Sequence, residues 1–123
     1  MVTRDKVVKI GDFGLARNVY VTDIYNTNSK GPLPVRWMAP ESIIDGVFTS
    51  QSDVWSYGVV LLEVATLAEL PYQGLSNEEV ISHIRSGQHP LVPEHCPDML
   101  QELMMECWQT EPNERTTFLH VCK

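Results

Sequence analysis

The sequence predicts a mainly α-helical α+β fold: one short β-strand, a long polar loop, then a series of helices around a single apolar one. Three observations carry this. The stretch "SQSDVWSYGVVLLEVATLA", 50–68, has apolar residues on every side of a helical wheel, the pattern of a buried central helix. Two later stretches open on helix-start signals, and the second carries an apolar stripe at helical spacing. The β-branched run Val7 to Ile10 follows the polar Arg4-Asp5-Lys6 and reads as a strand after a turn.

The elements follow in order. After the strand, Gly11 and Gly14 flank Asp12-Phe13, which allows unusual backbone angles where Asp12 is aimed. Residues 17 to 36 are polar, hold Gly31, Pro32 and Pro34, and lack periodicity, so they read as a long functional loop. Pro40 to Ile44 forms a short helix with Pro40 in its first turn. Ser50 caps the central helix, with Asp53 three residues on completing a capping-box pattern. Ser76 with Glu79 caps a second long helix, which runs to about Arg85 and ends at Ser86-Gly87. The proline-rich "HPLVPEHCP" connects to a third, opened by Pro97, with a stripe of Met99, Leu100, Leu103, Met104, Cys107 and Trp108. Pro112 ends it, and a fourth begins near Thr116.

Composition narrows the function classes. Of 123 residues, 43% are hydrophobic, and 9 Lys plus Arg stand against 16 Asp plus Glu, a net charge of −7. That acidity disfavours nucleic acid as a partner, because a nucleic-acid surface needs clustered positive charge. Cys96, Cys107 and Cys122 are odd in number and lack Cys-x-x-Cys spacing, which fits free thiols in a reducing compartment. No zinc-type cluster is visible, and His83, His89, His95 and His120 read as surface or packing residues. The apolar run near Val59 is broken by Glu63, so nothing here reads as a bilayer span. Met1 leads almost directly into the strand and Lys123 falls inside a helical pattern, so the chain reads as a piece of a longer protein.

The chemistry lies in an ordered set of motifs. Asp12-Phe13-Gly14 follows a strand, Ala39-Pro40-Glu41 closes the loop, "DVWSYG" occupies Asp53 to Gly58, and Arg115 lies far downstream. Together these cover nearly the whole chain and resemble the C-terminal lobe of protein kinases. "LPVRWMAPE" resembles the tyrosine-kinase form of the loop end, as does Cys107-Trp108. "GPLPVRWMAPES", "DGVFTSQSDVWSYGVVLLEV", "LAELPYQGLSNEEV" and "RTTF" are most similar to the insulin-receptor family of receptor tyrosine kinases. The resemblance implies a protein-kinase-like α+β fold, with residues 1–123 as its mainly helical C-terminal lobe. It also implies an enzyme that moves the γ-phosphoryl of ATP to protein tyrosine with Mg²⁺.

Each candidate residue has a physical reading beside the implied one. Asp12 is a carboxylate in a Gly-flanked turn. It is suited either to bonding its own backbone or to ligating Mg²⁺ on ATP phosphates. Phe13 reads as a core aromatic whose packing, the resemblance implies, separates active from inactive states, and Gly14 completes the cofactor-binding triplet. Tyr20 and Tyr25 lie in the polar loop and are candidate phosphorylation sites, each phosphate adding about −1.5 to −2 charge. The local balance is +2, with Arg17, Lys30 and Arg36 against Asp23, and Arg17 is the expected phosphate partner. Ile24 stands where the family has its middle tyrosine, and Asn26-Thr27 where it has a basic pair, which departs from the family's three-site pattern and leaves two-site control open. Leu33, Pro34, Val35, Arg36 and Trp37 form a stiff segment, with Trp37 buried beneath it, able to platform an extended substrate peptide. The resemblance pairs Glu41 with Arg115 in a partly buried ion pair. It also gives Asp53, besides its helix-cap reading, contacts to the catalytic-loop backbone.

The chain contains no Gly-x-Gly-x-x-Gly, no Val-Ala-x-Lys strand and no His-Arg-Asp. The phosphate cradle, the ATP-binding lysine and the catalytic aspartate are therefore expected in sequence preceding Met1. The resemblance further implies autophosphorylation in a receptor dimer. It places the protein at the cell membrane as a single-pass receptor, held by a segment outside these residues, with this segment cytoplasmic. A rival reading is a catalytically dead kinase-like scaffold that only binds partners. The upstream aspartate and lysine discriminate the two.

Overall fold

The computed structural model of the chain describes residues 1–16 and 33–122, together with the backbone of residues 25–26. The helices are α1 (Pro40–Asp45), α2 (Ser50–Ala65), α3 (Asn77–Arg85), α4 (Asp98–Cys107) and α5 (Phe118–Val121). Strands β1 (Tyr25–Asn26) and β2 (Val47–Phe48) form a two-stranded antiparallel sheet with Tyr25 opposite Phe48. Short 3-10 turns occupy Phe13–Leu15, Val35–Trp37 and Pro112–Glu114.

The expected strand at Val7 to Ile10 is reduced to a single antiparallel bridge, Val2 to Val8. It closes a small hairpin in which the Lys9 amide donates to the Met1 carbonyl at 2.8 Å. β-Branched residues favour a strand when one face is covered. Here Val8 and Ile10 are 76% and 86% exposed. The loop expected across 17 to 36 is interrupted by β1, whose partner lies more than twenty residues away and leaves no local periodicity to read.

Helix starts follow cap chemistry. At α2 the cap is Thr49 rather than Ser50. Its hydroxyl accepts from the amides of Gln51 and Ser52, while its own amide donates to Ser52 Oγ at 2.8 Å. Ser52, not Asp53, therefore closes the box, and Asp53 sits exposed in the first turn near the positive end of the helix dipole. At α3 the Ser76–Glu79 box forms as read, and the Ser76 amide holds the Glu79 carboxyl below its ordinary range. Gly46 ends α1 in the left-handed region, at φ 66°.

The main core joins α2 to α4: Val54, Trp55, Val59 and Leu62 pack with Met104, Cys107 and Trp108. Met99 falls off the expected stripe and is 83% exposed. Burial, with the charge of Glu106 adding to it, pushes the Cys107 thiol up to about 11. All three cysteines are free. A second, smaller cluster of Tyr72, Val80 and Ile84 sits under α3, with Ile43 and Leu75 against it. The central helix is covered unevenly: Val60 and Val64 remain 46% and 67% exposed. Among the described residues, no helix is long and apolar enough to cross a membrane.

The α2–α4 contact closes at Gly58, where a Cβ would stand 2.7 Å from Trp108 Nε1 and 2.8 Å from Cys107 Cβ. Both neighbours are buried: Cys107 Cβ is fixed to its own backbone, and the Trp108 ring is packed in the core, which leaves little room to move aside. Gly58→Ala is expected to cost about 2–3 kcal/mol, the upper range for overpacking. Urea titration reads this as a lower midpoint; an unchanged midpoint would show that α2 and α4 have room to separate.

Candidate functional site

The N-terminal candidate is a turn built around Asp12. The positive φ is on Asp12 itself, at φ 63° and ψ 68°, rather than on the glycines beside it. Asp is among the few non-glycine residues that take this conformation readily. The amide of Ala16 donates to the Phe13 carbonyl at 3.0 Å and closes the 3-10 turn. This backbone presents Asp12 to solvent. Phe13 does not enter a core as its side chain alone suggests: it is 68% exposed. Neither described cluster supplies the apolar cover its ring needs. No group of three or more His, Cys, Asp or Glu among the described residues is placed to hold a metal ion. Asp12 can therefore offer one carboxylate to a cation, with further ligands coming from phosphate oxygens, water or another segment.

Arg17 and Tyr20 lie outside the described residues, as do Asp23, Ile24 and Lys30. Tyr25 enters through its backbone alone, in β1 opposite Phe48.

The segment from Leu33 to Trp37 is a tight turn. The Val35 amide donates to the Leu33 carbonyl, Trp37 to Pro34 and Met38 to Val35, at 2.9, 3.0 and 3.2 Å. Those donors are used inside the turn, so it offers a shaped surface rather than a strand edge for an incoming peptide to extend. Arg36 turns away from any phosphate-receiving role. Its Nε donates to Asn77 Oδ1 at 3.1 Å, Nη1 to the carbonyls of Pro71 and Tyr72 at 2.8 and 3.1 Å, and Nη2 to that of Leu75 at 2.5 Å. Trp37 is only half-buried. Its Nε1 donates to Glu63 Oε2 at 2.8 Å, and Ser56 Oγ donates to the Trp37 carbonyl at 2.7 Å, which fixes the turn to α2.

Glu41 and Arg115 form a two-pronged ion pair, Nη1 to Oε1 at 2.7 Å and Nη2 to Oε2 at 2.9 Å. Arg115 is 4% exposed. Its remaining donors reach the carbonyls of Gln109, Gln51 and Thr110 at 2.9, 2.9 and 3.3 Å. Its guanidinium also lies 5.2 Å over the Trp55 ring. Five donors with five partners is the condition under which a buried guanidinium is tolerated.

Four supporting residues escape sequence reasoning: Gln51, Ser56, Glu63 and Asn77. Gln51 Nε2 donates to the Pro112 carbonyl at 2.8 Å, 61 residues away. Contacts across such separations carry no periodic or spacing signal. Only the polar character of Glu63 and Ser56 within an otherwise apolar helix hints that each faces a partner.

Comparison with known proteins places this geometry. The family described as protein tyrosine and serine/threonine kinase matches residues 1–123. The chain is 60% identical over 121 residues to insulin-like growth factor 1 receptor of Xenopus laevis, which covers 98% of the chain and 9% of that protein. It is 59% identical over 118 residues to a putative molluscan insulin-related peptide(s) receptor of Lymnaea stagnalis, covering 96% of the chain and 7% of that protein. It is 60% identical over 121 residues to insulin receptor-related protein of Mus musculus, covering 98% of the chain and 9% of that protein. The chain thus spans less than a tenth of the length of each of these relatives.

Proposed function

Because this chain belongs to the protein tyrosine and serine/threonine kinase family, we propose that it forms the C-terminal-lobe portion of a receptor protein-tyrosine kinase. The complete protein would transfer the γ-phosphoryl group of ATP to protein tyrosine, including tyrosines of its own dimer partner at the cell membrane. The observation that supports this best is the closed Glu41–Arg115 pair, 74 residues apart. It ties the end of the Asp12-to-Glu41 segment to the helices, in a chain about 60% identical to receptors of the insulin group.

The residues divide the work. Asp12, exposed and held by its turn beside Phe13 and Gly14, would hold Mg²⁺, which supplies charge neutralisation at the ATP phosphates. The Leu33–Trp37 turn is fixed on one side to α2 and on the other to the 71–77 loop. It gives a peptide a preformed surface, and positioning is most of what a phosphoryl-transfer enzyme supplies. In the complete protein, the cradle for the phosphates and the acceptor of the tyrosine proton would be supplied by residues other than these 123. Tyr25 and Tyr20 are the regulatory sites, with phosphate on Tyr25 paired to Arg17. Arg36, committed to the 71–77 loop, drops out of the basic set.

Two expectations test this in the complete kinase domain. Asp12→Asn keeps the shape of the side chain and removes its charge. It should lower turnover at least about 10²-fold, the scale of losing a charge-stabilising group, with the thermal midpoint little changed; near-normal turnover would remove Asp12 from metal binding. Tyr25→Phe should depress the rate reached after pre-incubation with ATP far more than Tyr20→Phe, because one phosphate brings one to three charge-assisted bonds. Equal activation of wild type and Tyr25→Phe would assign control elsewhere.

A further inference from the structure

Arg36 lies in the proposed peptide platform, yet its guanidinium bonds to one distant loop. Its four hydrogen bonds end on the carbonyls of Pro71, Tyr72 and Leu75 and on the side chain of Asn77, 35 to 41 residues away in sequence. Within that loop Tyr72 stands in the left-handed region at φ 56°, alongside Gly74 at 86°, and the turn that leads into it holds Leu67 and Ala68 at 57° and 72°. Left-handed conformations of non-glycine residues persist only where the surroundings over-determine them. The entry to the loop is fixed by the Ala68 amide on the Glu63 carbonyl at 2.7 Å, and the exit by the Ser76–Glu79 box. Between those ends, the Leu75 amide bonds the Tyr72 carbonyl at 3.1 Å, and Arg36 supplies the rest. The Tyr72 ring is buried, but its hydroxyl has no hydrogen-bond partner. The side chain therefore anchors the loop by packing, and the polar hold falls to Arg36.

The two pieces depend on each other. Arg36 gives donors to the Pro71 and Leu75 carbonyls and a second donor to the Tyr72 carbonyl, and the loop gives the Val35–Trp37 turn a fixed second support opposite α2. We infer that Arg36 is a positioning residue for the peptide substrate: its guanidinium straps the 33–37 platform to the 71–77 loop and so presets the surface that the peptide meets. This rests on the platform reading of residues 33–37. A lysine cannot replace it, because a point charge with rotating donors does not reach acceptors spread across a planar fork. Without the strap, the platform must be ordered during binding, which weakens affinity for peptide rather than for nucleotide.

The test uses the complete, phosphorylated kinase domain with a random copolymer of glutamate and tyrosine as peptide probe. Arg36→Lys should raise the KM for copolymer about tenfold through lost preorganisation, with the KM for ATP held within about twofold. Hydrogen exchange at the Leu75 amide should accelerate in the same variant, since its bond to Tyr72 lies inside the strapped loop. Asn77→Ala, which removes one of the four bonds, should shift both readouts in the same direction by a smaller factor. It carries the test if Arg36→Lys does not fold. An unchanged copolymer KM, a fall in kcat alone, or an equal rise in both KM values would overturn the inference. If the wild-type domain fails to phosphorylate the copolymer at all, the functional reading falls instead. The Leu75 exchange rate then decides the strap by itself: acceleration supports it and an unchanged rate removes it.

Discussion

Among the described residues, one buried cation sets the geometry of the fold. Arg115, 4% exposed, cannot stay in the interior unless each guanidinium N–H finds an acceptor. Its partners come from three separate places: the Glu41 carboxylate at the start of α1, the Gln51 carbonyl in the first turn of α2, and the Gln109 and Thr110 carbonyls after α4. Meeting that demand brings the three together. Trp55 presents its ring beneath the guanidinium at 5.2 Å, and Gln51 repeats the link through its own amide, reaching the Pro112 and Thr116 carbonyls at 2.8 and 3.3 Å. The segment before Glu41 therefore leaves the helical body from a fixed point.

The platform inherits this rigidity. Ala39, next to the ion pair, is 1% exposed within the main core. The turn before it is held by Trp37 on Glu63 and by Arg36 on the 71–77 loop. Three anchors on a stretch of six residues leave little freedom for a surface whose task is to orient a peptide. The opposite trend appears at the N-terminal end. Asp12 and Phe13 are exposed on a short turn, and the hairpin before them carries Val8 and Ile10 largely bare. Val60 and Val64 on α2 are uncovered as well. Exposed apolar surface of this kind marks where another segment or partner can pack.

How much of this was legible depends on the range of the interaction. Local chemistry was readable: the Ser76–Glu79 box, the helical stripe of α4 and the proline at the start of α1 each act within four residues. The α2 cap was misplaced by one residue because Thr49, Ser50 and Ser52 are all competent caps, and only the extended backbone of Thr49, at φ −141°, selects among them. Non-local demands were not readable. Nothing near Arg36 in sequence announces Asn77 or the Leu75 carbonyl, and its positive charge alone suggested a phosphate. Phe13 failed for a related reason, since an aromatic is buried only where another segment covers it. The Glu41–Arg115 pairing was available through family resemblance, not through spacing.

The direct measurement is a double-mutant cycle on Glu41→Gln and Arg115→Met, with unfolding free energies taken from urea titration of the complete kinase domain. If each charge is buried chiefly because the other is present, removing the second should cost much less once the first is gone. The double variant should then be less destabilised than the sum of the singles by about 2–3 kcal/mol. Additivity within about 0.5 kcal/mol would mean that the two ends of the structure are held independently and that Arg115 does not organise the fold.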